Sequence, residues 1–248
     1  MNFYKVTLYN LIIFIFFTSC NSETSILTDY QLGYHYYPMS LGKSWIYRTD
    51  SILYQKSNGQ RRDSFRCFIK ETAADTFTDP DGNLVYNVEI FYRKRDTLPW
   101  ELIDNTFITV GSTNIIRNDF GFDFIKLVFP VIKNKSWNGN IRIDQQTEIK
   151  LNGEFFRPFN LWNGRTYFYT DILNNQTIGN LFYKKVVNVE EIDFKDDINR
   201  IYSTATYAED VGLVYREFWL LSSDNPDINL PWEEKADYGA IIKQTLIQ

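Results

Sequence analysis

The sequence predicts a mostly β protein: a single antiparallel β-rich domain of about ten strands, folded as a barrel, half-barrel or sandwich. Apolar and polar residues alternate with period two in segment after segment, the mark of half-buried antiparallel strands. Asn-Gly or Asp-Gly pairs punctuate the chain at Asn58-Gly59, Asp81-Gly82, Asn138-Gly139, Asn152-Gly153 and Asn163-Gly164, and such pairs supply the positive φ angles of tight hairpins. No long stretch carries the 3.6-residue period of a helix.

Residues 1–19 read as a secretory signal. One cation, Lys5, precedes an apolar run from Leu11 to Phe17, and the small residues Thr18 and Ser19 follow. That order of basic start, short apolar core and small-residue cleavage site defines a signal peptide. The run is too short to cross a bilayer, which takes about 20 apolar residues. A short buried helix or strand is the plainer alternative, but it does not explain the order of the parts. Residues 20–31, beginning at Cys20, then read as a polar tether without periodicity.

The β domain is expected over residues 32–248. The clearest alternation runs from Ile141 to Lys150, with Ile141, Ile143, Thr147 and Ile149 on one face and Arg142, Asp144, Gln146, Glu148 and Lys150 on the other. Similar strands are expected from Trp45 to Tyr54, Leu84 to Tyr92, Arg165 to Thr170, Tyr183 to Ile192, Asn199 to Tyr207, Gly212 to Leu221 and Gly239 to Ile247, filled with aromatic and β-branched residues. Two polar, acidic loops are expected at Phe194 to Asn199 and Ser222 to Asp237. The second, with Pro226 and Pro231, is expected to extend from the sheet.

Loss of the first 19 of 248 residues would leave 229, ample for a sizeable core, and loss of Lys5 would move the formal charge from −5 to −6. The densest cation runs are Arg93-Lys94-Arg95 and Arg61-Arg62, too short to make nucleic acid an expected partner. Cys67 is the only cysteine besides Cys20. If Cys20 is modified, Cys67 has no partner in the chain, and it is expected as a small apolar core residue.

His35 is the only histidine. A structural zinc site needs several His or Cys ligands, and a Ser-His-Asp triad would have to use His35, which sits between Tyr34 and Tyr36 with no nucleophile motif beside it. No cofactor is expected. Carboxylate pairs are the remaining route to chemistry, since glycosidases work with two acids. Glu190-Glu191 is the obvious pair, but strand neighbours point to opposite faces, and Glu209-Asp210 reads as a turn. Asp79-Pro80-Asp81-Gly82-Asn83, preceded by Asp75, has the look of a calcium loop without its distal Glu, and a hairpin turn explains it. Trp137-Asn138-Gly139 and Trp162-Asn163-Gly164 each place a tryptophan beside a turn. Trp137, Asn138, Trp162 and Asn163 are the candidate ligand-binding residues, with the rings stacking on sugars; the alternative is that each ring plugs the end of a barrel or sandwich.

Phe17-Thr18-Ser19-Cys20 resembles the lipobox of bacterial lipoproteins, with Phe17 where Leu is usual. The resemblance implies a diacylglycerylated Cys20 as first mature residue. Several later phrases resemble uncharacterised lipoproteins of Bacteroidota-type bacteria: Tyr36-Tyr37-Pro38-Met39 with Leu41-Gly42-Lys43-Ser44-Trp45-Ile46-Tyr47, then Lys126-Leu127-Val128-Phe129-Pro130 with Ser136-Trp137-Asn138-Gly139-Asn140, then Tyr207 to Glu217. That resemblance implies a β-rich protein held by acyl chains at the outer membrane, facing periplasm or surface. It implies no catalytic residues.

Two functions are therefore carried forward. One is a non-catalytic envelope lipoprotein binding an apolar molecule, a glycan or a protein partner. The other is a carboxylate-dependent polysaccharide hydrolase. Two acyl chains hold a protein firmly where one does so marginally, so Cys20→Ala should convert a membrane-bound protein into an unprocessed or soluble one. Palmitate labelling should mark the wild type and not the variant; an unlabelled wild type excludes the anchor.

Overall fold

The computed structural model describes residues 28–56, 60–119, 121–151 and 154–248, with backbone alone at 60 and 61. The signal segment, Cys20 and the pairs Asn58-Gly59 and Asn152-Gly153 lie wholly or partly outside the described residues. The fold is mostly β, with a 12-stranded antiparallel sheet nearly closed into a barrel.

Six strands form the first half: β1 (Ser44–Lys56), β2 (Gln60–Thr78), β3 (Leu84–Arg93), β4 (Glu101–Val110), β5 (Asn114–Asp119) and β6 (Phe122–Val128). Two short pieces and a short pair follow: β7 (Ser136–Trp137), β8 (Ile149–Leu151) and β9 (Glu154–Phe156). The second half is β10 (Tyr167–Ile178), β11 (Leu181–Lys195), β12 (Asn199–Ala208), β13 (Gly212–Ser222) and β14 (Tyr238–Leu246). The sheet order is β6-β5-β4-β3-β2-β1-β14-β13-β12-β11-β10-β7. Each half is thus an up-and-down meander, and the first strand pairs with the last, from Tyr47 opposite Leu246 to Tyr54 opposite Gly239.

The outer edges, β6 on one side and β7 with β10 on the other, face each other across a seam. An open edge leaves backbone donors and acceptors unpaired, and here side chains satisfy them. The Trp137 indole donates to the Ile125 carbonyl (2.8 Å). The Tyr169 hydroxyl donates to the Val128 carbonyl (2.7 Å) and accepts from the Val128 amide (3.0 Å). The Ile125 amide donates to the Gly139 carbonyl (2.7 Å). A Cβ on Gly139 would stand 2.3 Å from the Tyr167 ring, so this close approach needs glycine.

The inward-facing positions make one core, including Tyr47, Val88, Ile108, Leu127, Tyr167, Val189 and Tyr207. Helix α1 (Asp29–Leu32), capped by the Thr28 side chain, and a 3-10 turn at Tyr34–Tyr36 bring Tyr36 and Tyr37 under one end. Helix α2 (Pro158–Trp162) packs Phe159 and Trp162 against the same core. A smaller core sits outside the barrel, where helix α3 (Trp232–Lys235) and Ala236 cover Tyr54, Leu221 and Ile241. Among the described residues, the buried core lies between Tyr36 and Leu246.

Three expectations need correction. The strand from Ile141 to Lys150 is instead two turns followed by β8. The Ile143 amide donates to the Asn140 carbonyl, the Thr147 amide to the Asp144 carbonyl, and the Asp144 side chain accepts from the Gln146 amide (2.9 Å). Asp144 thereby offers the backbone a local partner in place of a ladder, and Ile141 is left 65% exposed. The tether ends earlier than residue 31, since Asp29–Gln31 are already helical. The loop from Ser222 to Asp237 folds back on the sheet: the Ser223 hydroxyl donates to the Lys235 carbonyl and the Asp237 amide to the Ser222 carbonyl. Strands β2 and β4 to β6 were not anticipated. Of the described Gly pairs, only Asp81-Gly82 lies in a hairpin turn between adjacent strands; Asn163-Gly164 follows α2.

Trp162 is 3% exposed and donates its indole N–H to the Glu191 carbonyl (3.1 Å). Trp162→Ala should therefore destabilise the domain by about 3–5 kcal/mol, read as a lowered midpoint in urea with an unchanged slope.

Candidate functional site

The sequence-derived candidates fall mostly inside the fold. Trp137 is 9% exposed, lies 4.7 Å from the Tyr169 ring, and closes the seam. Trp162 stacks between Phe159 and Tyr167, with ring centroids 6.0 Å away on each side. Both indoles are plugs, with no face turned to solvent for a sugar. Asn138 and Asn163 are exposed, and Asn163 accepts from the Gln145 amide group (2.9 Å). His35 stacks on Tyr30 (4.4 Å) and lies 3.6 Å from Glu209. Burial lowers its pKa against the pull of Glu209 and Asp210, which favours the neutral ring. Asp210 stands at the β12–β13 turn with a φ of 61°. Asp79 accepts from the Asp81 and Asn83 amides (3.0 and 2.8 Å), a turn-capping arrangement. Cys67 is half-buried, and burial raises the pKa of its thiol.

The Glu190-Glu191 pair splits across the sheet at a bulge, and each half leads to a cluster. Inward, Glu191 accepts from Lys126 (3.0 Å) and from the Ser203 hydroxyl (2.6 Å). Lys126 lies 3.6 Å from Asp119, which Arg117 contacts at 2.6 Å and Arg216 at 3.6 Å. Arg117 also grips Glu71 with two parallel bonds, 2.7 and 2.8 Å. Three carboxylates from β2, β5 and β11 thus meet three cations from β5, β6 and β13 in the barrel interior. Burial alone would raise the pKa of Asp119, but Arg117, Lys126 and Arg216 outweigh it and hold it well below the carboxylate range.

Outward, the registers align a second set of side chains. Glu190, Thr204, Glu217, Lys243, Asp50 and Arg66 stand opposite one another across β11, β12, β13, β14, β1 and β2. The adjoining row holds Asp193, Tyr202, Trp219, Ile241 and Ile52. Arg216 points into the barrel, so its strand neighbours Tyr215 and Glu217, and Trp219 two residues on, face out.

This outer shelf is rigidly built. Glu217 accepts from the Trp219 indole (2.7 Å), the Lys243 ammonium (2.8 Å) and the Tyr215 hydroxyl (2.6 Å). Burial would raise the Glu217 pKa, but the hydrogen bonds from Lys243, Tyr215 and Trp219 overcome it and keep the carboxylate ionised. The Tyr202 and Trp219 rings meet edge to face at 6.1 Å, with the Arg200 guanidinium 5.1 and 5.9 Å from their centroids. Burial, helped by the neighbouring Asp193, raises the pKa of Glu190. All these aromatic rings are half-exposed. The sequence marked β13 as a strand but not which face it turns outward, so Tyr215, Glu217 and Trp219, spaced two apart, passed unnoticed.

A cavity of about 170 Å³ lies between β9 with α2 and the ends of β12 to β14, lined by Phe155, Arg157, Leu161, Ile201, Leu220 and Tyr238. Among comparisons with known proteins, no family model, no curated protein and no solved structure matches this chain.

Removing one partner from a buried ion pair leaves the other charge without compensation, at a cost of about 3–5 kcal/mol. Arg117→Met should therefore lower stability by that order, because both Glu71 and Asp119 lose their contact. The Arg117→Met/Glu71→Leu double variant should recover part of the loss, and urea titration of all three proteins checks it.

Proposed function

We propose that the chain is a lipid-anchored envelope protein whose β domain binds carbohydrate without chemistry on its outer shelf. The observation that carries this reading is the Tyr202–Trp219 pair held in fixed geometry by Glu217 and Arg200. A sugar presents apolar C–H faces and polar hydroxyls. Half-exposed aromatic faces meet the first; Arg200, Lys243, Glu190 and Asp193 around them meet the second. Rings locked before binding lose little entropy on binding. An apolar cargo is less well served, since the barrel interior is occupied by core side chains and the ion network. In this reading Cys20 carries the acyl chains, membrane attachment places the domain at the outer membrane, and an envelope glycan is the partner.

One observation favours a hydrolase as second reading. Glu190 and Glu217 share a row two strands apart, which sets their Cα atoms about 10 Å from each other. One has a raised pKa and the other a lowered one, and an acid and a base at roughly 6.5–9.5 Å between carboxyls is the inverting arrangement.

Tyr202→Ala and Trp219→Ala should weaken binding to the best ligand in a panel of cell-wall and dietary glycans by on the order of tenfold, the loss of about 1.4 kcal/mol. The melting temperature of Tyr202→Ala should stay near the wild type. A wild-type domain that retains no glycan in the panel defeats the proposal. Release of reducing ends by wild type, abolished in Glu190→Gln, would replace binding with hydrolysis.

A further inference from the structure

The connection from β3 to β4 builds a second outer surface whose chemistry differs from the shelf. Phe68 on β2 stands opposite Arg93, and Lys70 opposite Phe91, which in turn stands opposite Leu102 on β4. These residues share one face. The Arg93 guanidinium lies 4.3 Å from the Trp100 ring and 5.2 Å from Phe68; the Lys70 ammonium lies 4.2 Å from Phe91 and 5.3 Å from Trp100. Arg93 also donates to the Asp96 carbonyl (2.7 Å), and the Leu98 amide to the Arg95 carbonyl (3.1 Å), so the connection is a closed turn lying against the rings.

Lys94 and Arg95 project from that turn into solvent. Beside them Leu98 is 45% exposed, and Leu102 and Ile103 are each 55% exposed. Four cations therefore surround exposed aliphatic side chains and a half-buried indole, against Asp96 in the turn and Glu89 further along β3. The chain as a whole carries a formal charge of −5, so this surface runs counter to the rest. Glu101 and Asp104 stand opposite Tyr92 and Ile90, on the face turned away from it.

We propose that this surface is a membrane contact that takes an anionic phospholipid bilayer. Cations near a membrane are drawn to anionic headgroups, aromatic rings settle at headgroup depth, and aliphatic side chains gain by entering the acyl boundary. The chain carries a net negative charge overall, so an anionic bilayer is favoured to approach from this cationic side. The contact does not depend on acylation of Cys20, and the domain starting at residue 28, which holds every buried core residue among the described residues, tests it directly.

The test is co-sedimentation of that domain with vesicles of phosphatidylcholine, with and without phosphatidylglycerol. The wild type should sediment only with the anionic vesicles. Raising the salt from about 0.01 to about 1 M should release it, because the Debye length shrinks from about 30 to about 3 Å. Lys94→Glu/Arg95→Glu should bind on the order of tenfold more weakly, and Leu98→Asp/Leu102→Asp should lose binding to a similar degree. All four substitutions are at exposed positions and should leave circular dichroism and melting unchanged, while the control Lys184→Glu should bind like the wild type. Equal sedimentation with both vesicle types, or wild-type binding by folded variants, would each overturn the proposal.

Discussion

The bidentate pair between Arg117 and Glu71, with Asp119, Lys126, Arg216 and Glu191 linked behind it, is the constraint on which the barrel depends. A charge inside a protein is tolerated only when its partners are in place. These six come from five strands spread over both halves of the sheet, so the network is complete only when β2, β5, β6, β11 and β13 have taken their final places around the interior. Hydrophobic residues of similar volume would fill the same space, but they would not discriminate one strand register from another. A slip of one residue would turn Arg117 or Glu191 to the outside and strand the remaining charges.

The second constraint is the seam. Twelve strands in one sheet leave two edges, and this fold joins them with a tryptophan indole and a tyrosine hydroxyl instead of a continuous ladder. That solution explains why Trp137 is buried in a two-residue strand. The ring fills space between the edges while its N–H satisfies one backbone carbonyl. Trp162 does the same for the Glu191 carbonyl at the bulge that turns Glu191 inward. The tryptophans that looked most available for a ligand are thus spent on closing the barrel.

With the interior filled, the recognition proposed for this domain falls to the outside of the sheet, where two surfaces differ in kind. On β12 and β13 the charges are paired and hold aromatic rings in one geometry, which suits a neutral, shaped ligand. At the β3–β4 connection two cations lie over rings, two others are free to meet headgroups, and aliphatic side chains stand between them, which suits a broad anionic boundary. Between the two surfaces Arg48 and Arg66 both pair with Asp50 on β1 and β2, which leaves one positive charge in excess. Surface pairs of this kind contribute little to stability.

The sequence by itself determined the secondary structure class, because alternation is a local property. Strands β1, β3 and β11 to β14 were legible in it, as was the hairpin at Asp81-Gly82. Strands β4 to β6 were less so: bulges at Ile90–Phe91 and Ile115–Ile116 break the period, and the first five residues of β4 are all exposed. The same local reasoning misread Ile141 to Lys150, where alternation was present but no strand lay alongside and Asp144 turned the backbone on itself. Only the tertiary structure decided which face of each strand points inward. It sent Glu191 to an ion network and Glu190 to the solvent, buried Trp137 and Trp162, and brought Tyr202, Glu217 and Trp219 together. Those outcomes depend on register and closure between residues far apart in the chain, and a period of two is the same whichever face is inside.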